Sequence, residues 1–171
     1  MHTYSTYAQY FEELATKHVD IRHNDPIGSK KFYQMTIEEF YSGAAGNSLP
    51  SSDSGPFVIM MDYISEINYN ARATDHKDFM LMILSGFPNN DYDWANSVKD
   101  TCERICNDFI NRMTEDSRNG VSLFEFSLDK PDKIRKVPGE IIFQSKYVGY
   151  QLSFNIITSF NDCVDISKWL P

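Results

Sequence analysis

The length, composition and charge of this chain limit both its fold and its partners. Its 171 residues, 42% hydrophobic and 14% aromatic, suffice for one domain that buries roughly 70% of the surface exposed by the unfolded chain. Acidic residues outnumber basic residues by 24 to 16, giving a formal net charge of −8. This balance argues against sequence-independent binding to nucleic acid or anionic membranes, because phosphate binding requires a cationic surface.

Targeting signals and cysteine usage indicate a soluble protein that is not secreted. No N-terminal segment combines basic residues with an apolar run of signal-peptide length, and the longest apolar run, residues 79–84, is too short to cross a bilayer. The three cysteines, Cys102, Cys106 and Cys163, are an odd number without the spacing of a small disulfide framework. We therefore expect a reducing compartment.

The first forty residues predict an amphipathic helix followed by a short strand and a short helix. Residues 4–19 carry large side chains at helical spacing behind an N-cap at Thr3 or Ser5, namely Tyr7, Tyr10, Phe11, Leu14 and His18. Residues 24–28 form a breaker cluster. After a strand at residues 32–35, Thr36 and Glu39 have the spacing of a capping box that begins a brief helix.

The middle of the chain predicts a long hairpin. Residues 44–56 are Gly, Ala, Ser, Asn and Pro with almost no large apolar side chain, which predicts a mobile loop within the domain. The strand that follows alternates Phe57, Ile59, Met61 and Tyr63, and residues 78–87 are apolar on both faces, as in a central strand. The polar residues 71–78 between them are long for a tight turn, so we expect this hairpin to protrude beyond the sheet.

The second half predicts one long helix and the closing strands. Residues 91–118 begin with a cap at Asp91 or Asp93 and carry one apolar stripe: Trp94, Val98, Cys102, Ile105, Phe109 and Met113. Strands are predicted at residues 121–128, 140–145 and 149–156, with a turn at residues 130–139. In the last strand Tyr150, Leu152, Phe154 and Ile156 face one way.

This order of elements predicts a single α+β domain over residues 1–171. We expect a mainly antiparallel β-sheet with a protruding long hairpin, an N-terminal helix and one long central helix packed on one face of the sheet. A polar and aromatic tail, residues 158–171, follows the last strand and contains Trp169. Because Trp169 has no place in the strand pattern, it is predicted either to pack on its own domain or to dock into a neighbouring subunit.

The candidate metal ligands have simpler structural interpretations. Cys102 and Cys106 lie one helical turn apart, but Cys102 is on the apolar stripe and Cys106 flanks it, so both are predicted to be buried structural thiols. His18 and His23 lie near aspartates at the end of the first helix, but they share no helix face. We interpret them as part of a solvated helix terminus, and the sequence predicts no metal site and no cofactor.

The sequence also lacks a catalytic signature. It has no Gly-rich phosphate loop, no GxSxG nucleophile elbow and no HExxH motif. This absence favours a protein that is not an enzyme, although its many carboxylates leave an acid–base enzyme open. The one basic cluster, Lys130, Lys133, Arg135 and Lys136, is either a soluble turn or an electrostatic contact to an acidic neighbour, such as another copy of the chain.

The order of elements, taken as a whole, resembles the tail terminator, or tail-completion, family of long-tailed bacteriophages. Three segments, KKFYQMTIEEFYSG, PFVIMMDYI and VGYQLSFNI, together with the terminal D-x-S-K-W, are similar to segments of phage and prophage structural proteins from the Bacteroidetes lineage. The resemblance covers most of the chain. It lies in the pattern of elements and not in a catalytic motif.

The resemblance implies a structural virion protein. Members of the family form a ring, usually of six copies, at the head-proximal end of the tail, where the ring ends tube growth and joins the head connector. The implied partners are further copies of the chain, the tail tube protein and the connector or neck proteins, with no membrane contact. Genomic DNA would pass through the ring without specific binding, which agrees with the acidic balance. The implied location is the tail or neck of the virion, after assembly in the host cytoplasm.

Two alternatives remain open at this point. The first is another ring of the same class, a head-completion or connector protein or the equivalent ring of an injection device. The second is a small α+β ligand-binding or isomerase-like domain with a cavity between helix and sheet. For a ring, the predicted subunit and partner contacts are the hairpin tip, the basic cluster and the tail: Asn68, Tyr69, Asn70, Arg72, Asp75, His76, Lys77, Lys133, Arg135, Lys136 and Trp169.

Overall fold

The chain forms an α+β domain with three helices and six strands in its described residues. The computed structural model describes residues 3–24, 30–42, 49–50, 55–69, 73–86, 92–119, 135–142 and 147–159. The helices are α1 (Tyr4–Lys17), α2 (Ile37–Ser42) and α3 (Tyr92–Arg118). The strands are β1 (Phe32–Met35), β2 (Phe57–Met61), β3 (Ile64–Asn68), β4 (Thr74–Gly86), β5 (Arg135–Ile142) and β6 (Tyr147–Ser159).

The six strands form one mixed sheet in the order β1-β2-β4-β6-β5, with β3 also paired to β4. Strands β1 and β2 are parallel, and the other pairs are antiparallel. The prediction of a mainly antiparallel sheet therefore needs correction. A parallel pair of neighbouring strands needs a crossover connection, and here helix α2 lies between β1 and β2 in the chain.

Strands β4 and β6 form the centre of the sheet. They pair along their whole length, from Thr74 opposite Ser159 to Gly86 opposite Tyr147, without a shift in register. Strand β4 also pairs with β2 through residues 81–84 and with β3 through residues 74–78. The prediction of a central strand, apolar on both faces, is confirmed for the second half of β4.

The predicted hairpin has different strand boundaries in the structure. The segment predicted as one strand breaks at Asp62 and Tyr63 into β2 and β3, and residues 74–78, predicted as part of a turn, belong to β4. The polar side chains at these positions misled the prediction, because backbone pairing to β3 and β6 on both sides places them in a strand. Residues 70–72 lie outside the described residues, so the long hairpin is not confirmed.

Each face of the sheet carries its own apolar core, and helices contribute to both. Helices α1 and α3 cover one face, where Phe11, Phe109, Phe79 and Phe154 belong to a single buried cluster. A second buried cluster on the opposite face contains Phe40 of α2, Leu49, and side chains of β1, β2, β4 and β6. The prediction that helices cover one face was wrong, because α2 packs on the other.

Several local predictions are confirmed. The backbone N–H of Thr36 donates to Glu39 Oε2 at 2.9 Å and that of Glu39 donates to Thr36 Oγ1 at 3.1 Å, so α2 begins with a capping box. Thr3 is the N-cap of α1. Most of the α3 stripe is buried, and the alternating side chains of β6 enter the core shared with α1 and α3, with Tyr150 packed against it: Cys102, Ile105, Phe109, Met113, Leu152, Phe154 and Ile156.

The predictions for loops and closing strands differ from the structure. Strand β5 begins at Arg135, inside the predicted turn, and Pro138 is tolerated because β5 is at the edge of the strand order, where a missing N–H breaks no ladder. Leu49, in the loop predicted to be mobile, is buried, and the Tyr147 hydroxyl donates to the carbonyl oxygen of Pro50. The predicted strand 121–128 and residues 160–171 of the tail lie outside the described residues.

Candidate functional site

The distal end of the sheet, defined as β3, residues 74–78 of β4 and residues 154–159 of β6, carries most of those predicted contact residues that the structure describes. Asn68 is the last residue of β3, and Tyr69 follows it. Asp75, His76 and Lys77 lie in β4. Two further predicted contacts, Asn70 and Arg72, lie outside the described residues. The distal end is therefore the candidate site.

An ion pair lies inside the distal end. Asp75 and Lys77 are each only 4% exposed and form a salt bridge with each other. The Ser65 hydroxyl donates to Asp75 Oδ1 at 2.5 Å, and Lys77 Nζ lies 3.5 Å from Thr158 Oγ1. Lys77 Nζ also lies 5.8 Å from the ring centroid of Tyr7 in α1. The pair thus joins β3, β4 and β6 from within, and a partner at the surface reaches neither charge.

The contacts of Asp75 favour its ionised form. Burial of the carboxyl group raises its pKa, but hydrogen bonds from Lys77 and Ser65, together with the charge of Lys77, outweigh burial and hold the pKa of Asp75 below its ordinary value. A buried charge of this kind is stable only with its partners in place. The role of Asp75 and Lys77 is therefore internal.

The outer surface of the distal end exposes several large apolar side chains. All residues of β3 are exposed, including Ile64 at 60% and Ile67 at 43%. Tyr69 is 70% exposed. His76 faces the opposite side of the sheet from Lys77, with Nε2 at 2.9 Å from Thr74 Oγ1. Ile64 and Ile67 are not among the predicted contacts, although their spacing places one isoleucine on each face of the strand.

The predicted basic cluster is not assembled as a free patch in the described residues. Lys136 Nζ donates to Glu103 Oε1 at 2.9 Å and to Asn107 Oδ1 at 2.7 Å, so this side chain connects β5 to α3. Arg135 is the first residue of β5. Lys133 and Trp169 lie outside the described residues, so their contacts stay predictions.

His23 is a buried structural residue, which corrects its interpretation as part of a solvated helix terminus. Its side chain is 2% exposed. The backbone N–H groups of Lys31 and Phe32 both donate to Nδ1, at 2.9 and 3.1 Å, and Nε2 lies 3.0 Å from Glu12 Oε1. His23 therefore joins α1 to the start of β1.

His18 is also largely buried, beside an open groove between α1 and α3. Its side chain is 11% exposed, and Nε2 lies 3.3 Å from Asp108 Oδ2. The groove has a volume of about 320 Å³ and is lined by Leu14, Lys17, His18, Val19, Asp108, Phe109 and Arg112. Lys17 is paired with Glu13, and Arg112 Nε lies 2.9 Å from Asp116 Oδ1. The cations at its rim are thus already neutralised by the chain itself.

Cys102 and Cys106 are buried free thiols, as predicted. Burial raises the pKa of each to about 12, so thiolate is scarce near neutral pH. In a Cys163→Ser background we expect both thiols to resist alkylation in the folded protein and to react only after unfolding. Mass spectrometry of samples pulsed with iodoacetamide in increasing urea measures this. Labelling of folded protein at a rate near that of free cysteine would contradict it.

The described residues form no candidate metal site and no membrane-spanning helix, and no related protein is found. Within the described ranges, no three His, Cys, Asp or Glu residues lie close enough to hold a metal ion. None of the helices traced in those ranges has the length and apolar character needed to cross a membrane. No protein-family model matches the sequence, and no curated protein matches it.

Proposed function

We propose that this chain is a structural virion protein that forms a ring, with six copies the expected number, at the head-proximal end of a phage tail. The ring ends growth of the tail tube and joins the tail to the head connector. Its partners are other copies of the chain, the tail tube protein and the neck proteins. A head-completion or connector ring, or the ring of an injection device, is the alternative within this class.

The exposed strand β3 carries the proposal. An edge strand with isoleucines exposed on both faces is a liability for a protein that stays monomeric, because it favours pairing with another chain. Ile64, Ile67 and the nearby Tyr69 supply apolar surface, and aromatic residues are common at the centres of interfaces. We infer that β3 and β4 form a hairpin that protrudes from the domain and reaches the neighbouring subunit.

The charge of the chain supports a conduit for DNA. A net charge of −8 on each copy places many carboxylates around a ring. Negative charge at a bore repels DNA phosphates and prevents tight binding, so a duplex passes without being held. The internal pairing of Lys136 fits this arrangement, since it removes one cation from the surface available to phosphates.

We expect the purified protein to assemble into closed rings as its concentration rises. Light scattering after size-exclusion chromatography measures the mass, and negative-stain images show whether the particles are closed and how many copies they contain. A mass of one chain, 19.8 kDa, up to the solubility limit contradicts the proposal. So does a particle that closes at two copies by a two-fold axis, because a ring requires head-to-tail contacts.

The groove between α1 and α3 favours a second candidate function, a small ligand-binding domain. Its volume of about 320 Å³ is at the lower end of ligand pockets. However, it lies between two helices and not between helix and sheet, and its rim cations are paired with carboxylates. The exposed strand is unexplained by this candidate, so we place it second.

A further inference from the structure

The direction of the backbone groups in β3 follows from the hydrogen bonds of β2. The N–H of Val58 donates to the carbonyl oxygen of Lys31 at 2.8 Å, so the polar groups of Val58 face β1. The direction of the N–H and C=O groups alternates from residue to residue along a strand, so those of Ile59 point toward β4, where Ile59 pairs with Met82. The N–H and C=O groups of Met82 in turn point toward β2.

The same alternation continues along β4 to the distal end. Strand β4 pairs with β6 without a register shift, so the N–H and C=O groups of Asp78, His76 and Thr74 point to the same flank as those of Met82. Their partners in β3 are Ile64, Glu66 and Asn68, whose N–H and C=O groups therefore point toward β4. The residues between them, Ser65 and Ile67, direct their N–H and C=O groups away from the sheet. Among the described strands β3 pairs with β4 alone, so Ser65 and Ile67 form its open edge within that part of the chain.

This edge has little of the usual protection. Natural edge strands discourage pairing through charged side chains, especially lysine, or through proline or a bulge. Strand β3 has the sequence ISEIN, with Glu66 as its one charge and neither lysine nor proline, and its pairing to β4 is regular over all five residues. An edge of this kind is suited to accept a further strand.

In the described part of the chain, β6 also has an edge without a neighbouring strand, on the opposite flank of the distal end. Strand β5 pairs with β6 from Tyr147 to Ser153, so beyond Ser153 the described neighbour of β6 is β4 alone. The N–H and C=O groups of the odd-numbered residues of β4 point toward β6. Those of their partners in β6, such as Ile156 and Thr158, point toward β4. Asn155 and Ile157 consequently direct their backbone groups outward. The two edges are different strands on opposite flanks, as a head-to-tail contact requires.

We infer that β3 of one copy pairs with β6 of the next copy along residues 155–159, so that the sheet continues across the subunit boundary. The inference rests on the proposed ring and specifies its contact. Strand β3 is antiparallel to β4, and β4 is antiparallel to β6, so β3 and β6 run in the same direction. The rotation between neighbouring copies of a six-membered ring is too small to reverse the direction of a strand, so the new strand pair is parallel.

Proline scanning of the two edges tests the contact. Ile67→Pro removes an outward N–H while keeping the hydrogen bonds of β3 to β4, because the N–H of Ile67 faces away from β4. Ile67→Thr is the matched control, since it also removes the exposed isoleucine but keeps the N–H and suits a strand. The corresponding pair on the other edge is Ile157→Pro and Ile157→Thr. Native mass and negative-stain images are measured for all four variants.

We expect both threonine variants to form rings and both proline variants to fall to the mass of a single chain. Far-UV circular dichroism and thermal unfolding confirm that each proline variant is folded. Rings formed by folded Ile67→Pro overturn the inference while leaving the proposed function intact. Rings formed by Ile157→Pro alone overturn the assignment of β6 as the partner edge. If the wild type forms no ring, the proposed function fails and the contact fails with it.

Discussion

Replacing Lys77 with Met is expected to lower the free energy of unfolding by about 3–5 kcal/mol. Lys77 is buried and forms an ion pair with Asp75, so the substitution leaves a carboxylate in the core without its cation. The hydrogen bond from Ser65 to Asp75 remains, but it does not neutralise the charge. Urea unfolding followed by tryptophan fluorescence or circular dichroism measures the loss.

Two further variants make this result specific. The double variant Asp75→Leu with Lys77→Met removes both charges and is expected to recover most of the loss, because replacing a whole buried pair by apolar side chains is often close to neutral. Lys17→Met breaks the exposed pair with Glu13 and is expected to change stability by less than about 1 kcal/mol. A loss of that small size for Lys77→Met would show that the pair is hydrated in solution.

The same pair adds a pH dependence to stability. The pKa of Asp75 is lowered by folding, so its ionised form stabilises the protein fully above the ordinary pKa of an aspartate, about 4. This contribution is lost as pH falls through the lowered value. The wild type should therefore lose stability below about pH 4 more steeply than the double variant.

Gly149→Ala is expected to lower the free energy of unfolding strongly. A Cβ at this position would lie 2.0 Å from the carbonyl oxygen of Ile83 and 2.9 Å from the Cα of Leu84. Both are backbone atoms of β4, which is held in the centre of the sheet and cannot move aside. We expect a loss of about 3 kcal/mol or more in the free energy of unfolding, since overpacking against backbone has no rotamer that relieves it.

Gly55 supplies the matched control for this substitution. The nearest atom to a Cβ at Gly55 is Lys31 Nζ at 3.8 Å, an ordinary contact made by a flexible side chain. Gly55→Ala should therefore leave stability within about 1 kcal/mol of the wild type. Equal unfolding midpoints for the two alanine variants would contradict the close approach of β4 to Gly149.

The sequence predicted well the elements whose periodicity comes from burial on one face. The stripe of α3 and the alternation of β6 both point apolar side chains at the same core, so spacing alone revealed them. Residues 74–78 were assigned to a turn because Asp75 and Lys77 are polar. Their burial inside the sheet is a tertiary effect that no local pattern contains, because it depends on contacts with β3, β6 and α1. The parallel direction of β1 and β2 likewise depends on the path of the chain between the two strands, which the sequence pattern does not indicate.

The candidate site was predicted in part for a similar reason. Charge and polarity predicted contacts at the hairpin tip, but two of the predicted residues, Asp75 and Lys77, are buried inside the domain. Exposure of Ile64 and Ile67 depends on β3 having a neighbour on one side, which is a property of strand order. His23 was misjudged because its hydrogen-bond partners Lys31 and Phe32 come from a segment that the sequence does not connect to α1.

The position of β6 in the strand order has a consequence for biosynthesis. Strand β4 ends at Gly86, but the strand that pairs with it over its whole length, β6, is the last strand described, at residues 147–159. Until the ribosome has delivered β6, one side of the apolar segment FMLMILSG has no partner from within the chain. Pairing across so many residues is slow and leaves the nascent chain prone to aggregation. We therefore expect slower synthesis or added chaperones to raise the yield of folded protein, even if the folded protein itself is stable.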